Sequence, residues 1–342
     1  MITALWTLRI KFSNFIAFSN WNSLLLKHWW AIVVVNLAWG SGFLSIKMNV
    51  VHFGPYLSLS IRYAGLVLLL LPFLRGFPRE NQRAFLQVTC LMGILHFGLG
   101  MTSFHLAVDI ASLALASQAY IPISAILALI FLKEELTWSV GLGIGIAFLG
   151  FAVMSFDPVI FTELDSMVIM MAATAVMAIC SLMVRHKLKG INPMTLQAWT
   201  GLCGILPIFL LSLLVEQNHW QKIESATWFN WISVLHAVIF SSIIGHGINF
   251  WLLQQQPVSR ITPYYLLTPI FAVLMAIIFW GDEPGPKVWF GGAMILFGIL
   301  MVSSNFDLRR WRNAWVIFLR LRTNALTSLP DEINMRVSIS GA

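Results

Sequence analysis

Charge is what this 342-residue chain has least of: charged residues make up 10%, against 58% hydrophobic ones. Water-soluble domains run near a quarter charged, so this few cannot cover a water-exposed surface. The natural solvent is a bilayer. Cysteine is also scarce. The three present, Cys90, Cys180 and Cys203, lie far apart in apolar runs. No CxxC pair exists, which excludes a disulfide frame or a zinc site. HExxH, GxSxG and P-loop signatures are missing, so the chain offers neither a hydrolase site nor a nucleotide motor of its own. No metal ligand set and no cofactor is expected. Carboxylates are few as well. All 14 fall at span ends, in loops or in tails, so the familiar proton relay on a mid-membrane Asp or Glu is missing. Among end residues, Asp109 and Glu135 are the candidates to replace it.

What is present is long apolar runs. Crossing about 30 Å of hydrocarbon takes roughly 20 residues of helix. Ten segments qualify: 29–50, 56–74, 85–107, 110–132, 138–156, 166–186, 193–215, 230–253, 260–281 and 286–304. The net charge of +7 is concentrated in loops on one side. Arg75, Arg79 and Arg83, then Arg185, Lys187 and Lys189, share a face with the basic tail after residue 305. The positive-inside rule therefore puts both termini in the cytoplasm. No basic folded domain is visible, so nucleic acid is not an expected partner. Residues 1–28 show no cleavable leader pattern and read as a cytoplasmic amphipathic lead-in. The tail 305–342 holds "RRWRNAWVIFLRLR" (309–322), which reads as an interfacial helix on the anionic leaflet.

The chain also matches itself. At an offset of 148 residues, Phe131, Glu135, Val140, Gly143, Gly150 and Ser155 meet Phe279, Glu283, Val288, Gly291, Gly298 and Ser303. Pro122 and Pro269 correspond one residue out of step. Five spans per half is an odd number, so the second half enters the membrane upside down. The expected fold is an all-α integral membrane protein of ten transmembrane helices in two inverted five-helix repeats, 29–156 and 166–304. Such repeats meeting at the midplane are a transporter architecture.

The stretches "LAWGSGFLSIK" (37–47), "ASLALASQAYIPISAILALIFLKEEL" (111–136) and "SSIIGHGINFWLLQQQPVSRITPYYLLTPIFAVLMAIIFWGDE" (241–283) resemble the EamA-like drug/metabolite transporters. The resemblance covers about residues 29–304 and leaves the tail unexplained. It implies a carrier of small metabolites across the inner membrane, and export is the expected direction. It further implies a central cavity lined by the first, third and fourth helices and their second-half counterparts. A non-transporting scaffold, a lipid scramblase and a membrane enzyme are the rival readings. Homodimerisation is left open.

Ionisable groups inside spans are functional candidates because their insertion costs about 2.5–3.5 kcal/mol each. Lys47 either faces the cavity, where it attracts an anionic group, or snorkels to the outer headgroups. Arg62 reads first as an arginine tying helices together. His96 and His246 occupy matching places in the two halves, each beside glycine, and Asn249 shares the face of His246. Gln118 and Tyr120 precede Pro122, and Tyr264 and Tyr265 precede Pro269, where proline frees a backbone carbonyl. Trp39 can stack on a ligand. The expected substrate-binding set is Trp39, Lys47, His96, Gln118, Tyr120, His246, Asn249 and Tyr264. With basic groups and no opposing acid, the cavity favours an amino acid or derivative that is anionic or zwitterionic. The orientation is checked by a single cysteine placed at Glu163. It should react with an impermeant thiol reagent from the periplasmic side, and reaction only from the cytoplasmic side would reject the topology.

Overall fold

The computed structural model describes residues 23–107, 110–134, 138–155, 164–280 and 285–303. Most of the lead-in, the whole tail, Asp109 and Glu135 lie outside them. The described residues are helical, with no strand among them. That follows from the solvent: hydrocarbon offers no hydrogen bonds, so each segment must satisfy its own backbone.

The order is α1 (Ser23–Phe53), α2 (Pro55–Leu69), α3 (Gln82–Leu106), α4 (Ile110–Ser117), α5 (Tyr120–Leu132), α6 (Trp138–Ser155), α7 (Leu164–Lys187) and α8 (Pro193–Val215). A short α9 (His219–Glu224) leads to α10 (Trp228–Gln255), α11 (Val258–Ile261), α12 (Thr268–Trp280) and α13 (Pro286–Ser303). Six helical stretches are long and apolar enough to cross a membrane, among them Gln82–Leu106 and Trp228–Gln255. Four shorter apolar helices accompany them: Pro55–Leu69, Tyr120–Leu132, Val140–Met154 and Pro286–Val302.

Several segments that the hydropathy pattern draws as continuous are broken. Between α4 and α5 the chain turns at Gln118–Ala119. Pro122 has no N–H to offer the Gln118 carbonyl, which accepts instead from Ile121 N at 3.0 Å. A 3₁₀ turn, Thr262–Leu267, joins α11 to α12 ahead of Pro269. Two helices widen into π turns, α3 over Leu91–His96 and α10 over Ala237–His246. Each π turn ends on one of the two candidate histidines.

Lipid tails supply no hydrophobic drive between helices, so contact depends on small residues and polar ties. The closest helix pair is α6 against α13. A Cβ on Gly143 would lie 2.7 Å from the Gly298 carbonyl, and one on Gly298 would lie 2.4 Å from that of Gly143. Gly150 and Gly291 face each other in the same reciprocal way. These are the four glycines of the internal repeat, and the offset exchanges the two contact pairs.

Two carboxylates staple the ends of the bundle. Glu216, just past α8, accepts from Tyr56 N (3.0 Å) and Leu57 N (2.8 Å) at the start of α2, and also from Ser212 Oγ. Glu134, just past α5, accepts from Val258 N (3.1 Å), Ser259 N (2.9 Å) and Ser259 Oγ (2.5 Å) at the start of α11. Each satisfies orphan N–H groups and opposes the positive end of a helix. These two acids are thus used structurally at helix ends.

Gly298→Val should push α13 from α6 and destabilise the protein by about 1–3 kcal/mol, as overpacking does. Gly292→Val, where an added Cβ meets nothing within 4 Å, should leave the melting temperature in detergent near wild type.

Candidate functional site

A central cavity with about 860 Å³ of empty space, its open mouth included, lies between the two halves of the chain. α1 supplies Trp39, Phe43 and Ile46, α2 supplies Arg62, and α3 supplies His96, Phe97 and Met101. The turn between α4 and α5 contributes Ser117, Gln118 and Tyr120; α7 contributes Met170, Thr174 and Met177. Further along the second half come Ser241, His246, Tyr265 and Thr268.

Aromatic rings dominate one wall. Trp39 packs 5.0 Å from Tyr265, edge to face, and 5.1 Å from His246. It fits there because residue 245 is glycine: a Cβ would come within 2.6 Å of the indole nitrogen. Tyr120 and Tyr265 are stacked at 6.2 Å. The Tyr120 hydroxyl pairs with Ser181 Oγ at 3.0 Å, and the Tyr265 hydroxyl donates to Asn249 Oδ1 at 2.6 Å. The two histidines face each other at 6.2 Å. His96 Nδ1 lies 2.8 Å from the Ala173 carbonyl, which can only accept, so Nδ1 carries the hydrogen. In the neutral ring Nε2 is then an acceptor.

Arg62 is the charge of this site. It is 3% exposed. Its Nε donates to Ser242 Oγ at 2.8 Å and its Nη2 to Ser241 Oγ at 3.2 Å. The guanidinium sits 5.1 Å from the centre of the Phe97 ring. Nη1 is buried without a partner, as are Trp39 Nε1 and His246 Nδ1. No carboxylate of a described residue lines the cavity. On a further side of Arg62 lies a small crevice, lined by Asn49 and Ser58 among others. There Asn49 Oδ1 is also buried and unpaired.

The structure brings Trp39, His96, Gln118, Tyr120 and His246 together on the cavity. Three expected members fall elsewhere. Lys47 reaches the end of α3, donating to the carbonyls of Ala107 (2.6 Å) and Phe104 (3.3 Å). A helix leaves its last carbonyls unpaired and carries partial negative charge there, which is where an ammonium is best held. Tyr264 is buried and packs edge-on against Trp29 at 5.9 Å. Its neighbour Tyr265 takes the cavity position because a 3₁₀ turn advances a third of a circle per residue. Asn249 stands behind Tyr265 and orients its hydroxyl. Arg62, Phe97, Tyr265, Ser241 and Thr174 line the cavity without having been in the expected set. Arg62 carried a signal in the sequence, as an arginine six residues inside an apolar span. Its helix-tying bonds to α10 and its place on the cavity are two parts of one arrangement.

A helical membrane bundle with a largely apolar, aromatic-walled cavity that holds a few polar groups is the build of a small-molecule carrier. The comparisons agree. The model of the EamA-like transporter family matches residues 26–156 and again residues 165–304. The chain belongs to that family. It is 27% identical over 294 residues to a "Probable amino-acid metabolite efflux pump" of Salmonella typhimurium, covering 82% of this chain and 95% of that one. It is 25% identical over 300 residues to a "Probable terminal-alkyne amino-acid exporter" of Streptantibioticus cattleyicolor, covering 84% and 96%. A match to an uncharacterized transporter of Synechocystis spans only 44% of that protein, at 25% identity. A solved crystal structure superposes with a TM-score of 0.63 at 15% identity, over 82% of this chain and 96% of that one, which shows the fold alone. The protein is a multi-pass membrane transporter.

Lys47→Met removes two charge-assisted bonds to α3, at about 1–3 kcal/mol in stability. The expected outcome is a lower melting temperature with substrate KM within about twofold of wild type, read by uptake into proteoliposomes.

Proposed function

We propose that this protein is a secondary carrier that moves a small amphipathic metabolite bearing an anionic group, an amino acid or derivative, out of the cell by alternating access. The observation that carries the proposal is Arg62: a buried guanidinium on the cavity with a free Nη1 and no carboxylate beside it among the described residues. Burying an uncompensated charge is costly, so the site favours a ligand that brings the opposite charge. A substrate carboxylate or comparable anion does this, while the rings of Trp39, Phe97 and Tyr265 take an apolar body. His96, Gln118 and Thr174 offer polar contacts around it.

The export direction draws on the names of the relatives, two of which are an efflux pump and an exporter of amino-acid compounds. We further propose ten crossings in two inverted repeats, with both ends in the cytoplasm and the protein in the inner membrane. The two separate family matches support the repeat, as does the reciprocal glycine contact of α6 with α13. The paired π turns ending on His96 and His246 also fit two related halves. π turns recur at functional sites, where they widen a helix and re-aim its side chains. The lipid bilayer and a small-molecule substrate are the partners this reading requires.

The experiment is counterflow in proteoliposomes with a panel of amino acids and carboxylate derivatives, at two pH values. Arg62→Gln should raise KM for the best anionic substrate by roughly thirtyfold or more, the range for removing one partner of a buried charged contact. Arg62→Lys should retain part of the affinity. Circular dichroism and a melting curve check that both variants are folded. Unchanged KM in a folded Arg62→Gln protein would reject the proposed site. Lipid movement without any solute uptake would favour the scramblase reading.

A further inference from the structure

The charge inventory of the cavity bears on a choice the carrier reading leaves open, whether the ligand is a zwitterion or a plain anion. A free amino acid brings an ammonium beside its carboxylate. That ammonium has three hydrogens to donate and one positive charge to neutralise. On this cavity the fixed charge is Arg62, of the same sign.

The described acids are committed elsewhere or distant. Glu134 and Glu216 each cap a helix at an end of the bundle. Glu80, Asp165 and Glu224 do not line the cavity. The unpaired nitrogens of Arg62 and Trp39 are donors, which repeat what an ammonium already has in excess, and His246 Nδ1 is at most a single acceptor. The Phe97 ring, a face on which a cation can rest, already carries the guanidinium at 5.1 Å. A ligand at this cavity therefore meets donors for an anion and rings for an apolar body. It also meets isolated acceptors, such as Nε2 of His96 when that ring is neutral. An amide N–H needs one acceptor; an ammonium needs three and a counter-charge.

We propose that the cavity selects carboxylates without a free ammonium, such as N-acylated amino acids and deaminated aromatic acids, over zwitterionic amino acids. The inference rests on the reading of Arg62 as the carboxylate partner, and narrows it. Within a few ångströms of a guanidinium, in a medium of lowered dielectric, a like charge weakens binding by an order of magnitude or more.

The test is binding to the purified full chain in detergent, read as ligand-dependent melting shift and as competition in proteoliposomes. Four probes share one phenyl body: N-acetyl-L-phenylalanine, 3-phenylpropionate, L-phenylalanine and 2-phenylethylamine. The first two should bind at least tenfold more tightly than phenylalanine, and phenylethylamine should not bind. Arg62→Gln should abolish the advantage of the carboxylates. Gln118→Glu, an isosteric change on the cavity wall, should narrow the gap between N-acetylphenylalanine and phenylalanine, and an unchanged gap counts against the charge argument. Phenylalanine binding as tightly as its N-acetyl derivative overturns the preference, and leaves the Arg62 site standing if both still need Arg62. N-acetylphenylalanine binding equally to wild type and Arg62→Gln overturns the site itself. Failure of both carboxylates to bind overturns both readings.

Discussion

Hydrocarbon forms no hydrogen bonds, and the rest of this structure follows from that constraint. A polar group inside the bundle must find its partner in the protein or leave a gap for a ligand to fill. Ser41, Ser60, Thr89 and Thr200 turn their hydroxyls back onto carbonyls of their own helices. Asn36 Nδ2 does the same to Ile32 and offers its Oδ1 to Thr268, tying α1 to α12 at 2.6 Å. Lys47 and the carboxylates of Glu134 and Glu216 are drawn to helix ends, where partial charges of opposite sign wait. Once these groups are paired, the unpaired ones stand out. Trp39, Arg62 and His246 lie on the same cavity, while Asn49, Gln197 and Asn249 carry unpaired atoms away from it.

The cavity is made by departures from regular helix. π turns in α3 and α10 aim His96 and His246 inward, and the break before Pro122 brings Gln118 and Tyr120 to the wall. The 3₁₀ turn before Pro269 presents Tyr265. Close helix contact is found both at the cavity, where Gly245 meets Trp39, and away from it, in the glycine pairs of α6 and α13 and where Gly93 on α3 meets Gly204 on α8. Irregular backbone around the cavity suits a protein whose centre must admit a solute. Irregular backbone at membrane depth is tolerated only where protein or a cavity surrounds it.

Much of this is legible in the sequence, because composition and helix termini are local properties. Low charge and apolar runs give a membrane protein of helices. Proline positions locate the two broken segments, and glycine beside each histidine points to crowded inward faces. The site is less legible where it depends on angle. Tyr264 and Tyr265 differ by one residue, and only the 3₁₀ geometry sends one to Trp29 and the other to the cavity. Lys47 and Arg62 are both lone cations in apolar helices, and hydropathy cannot rank them. Lys47 is within reach of the open end of α3, while Arg62 faces two serines of α10, 179 and 180 residues away along the chain.

The sequence by itself determined the solvent, the helical class, the excess of basic over acidic groups within the spans, and the residue types available for chemistry. These are sums and short-range patterns that survive without knowing which helices touch. Only the tertiary structure decided which cation is satisfied and which is left with a free donor. That depends on the carbonyl or hydroxyl that another helix presents at about 3 Å, a distance set by helix packing and not by neighbours in the chain.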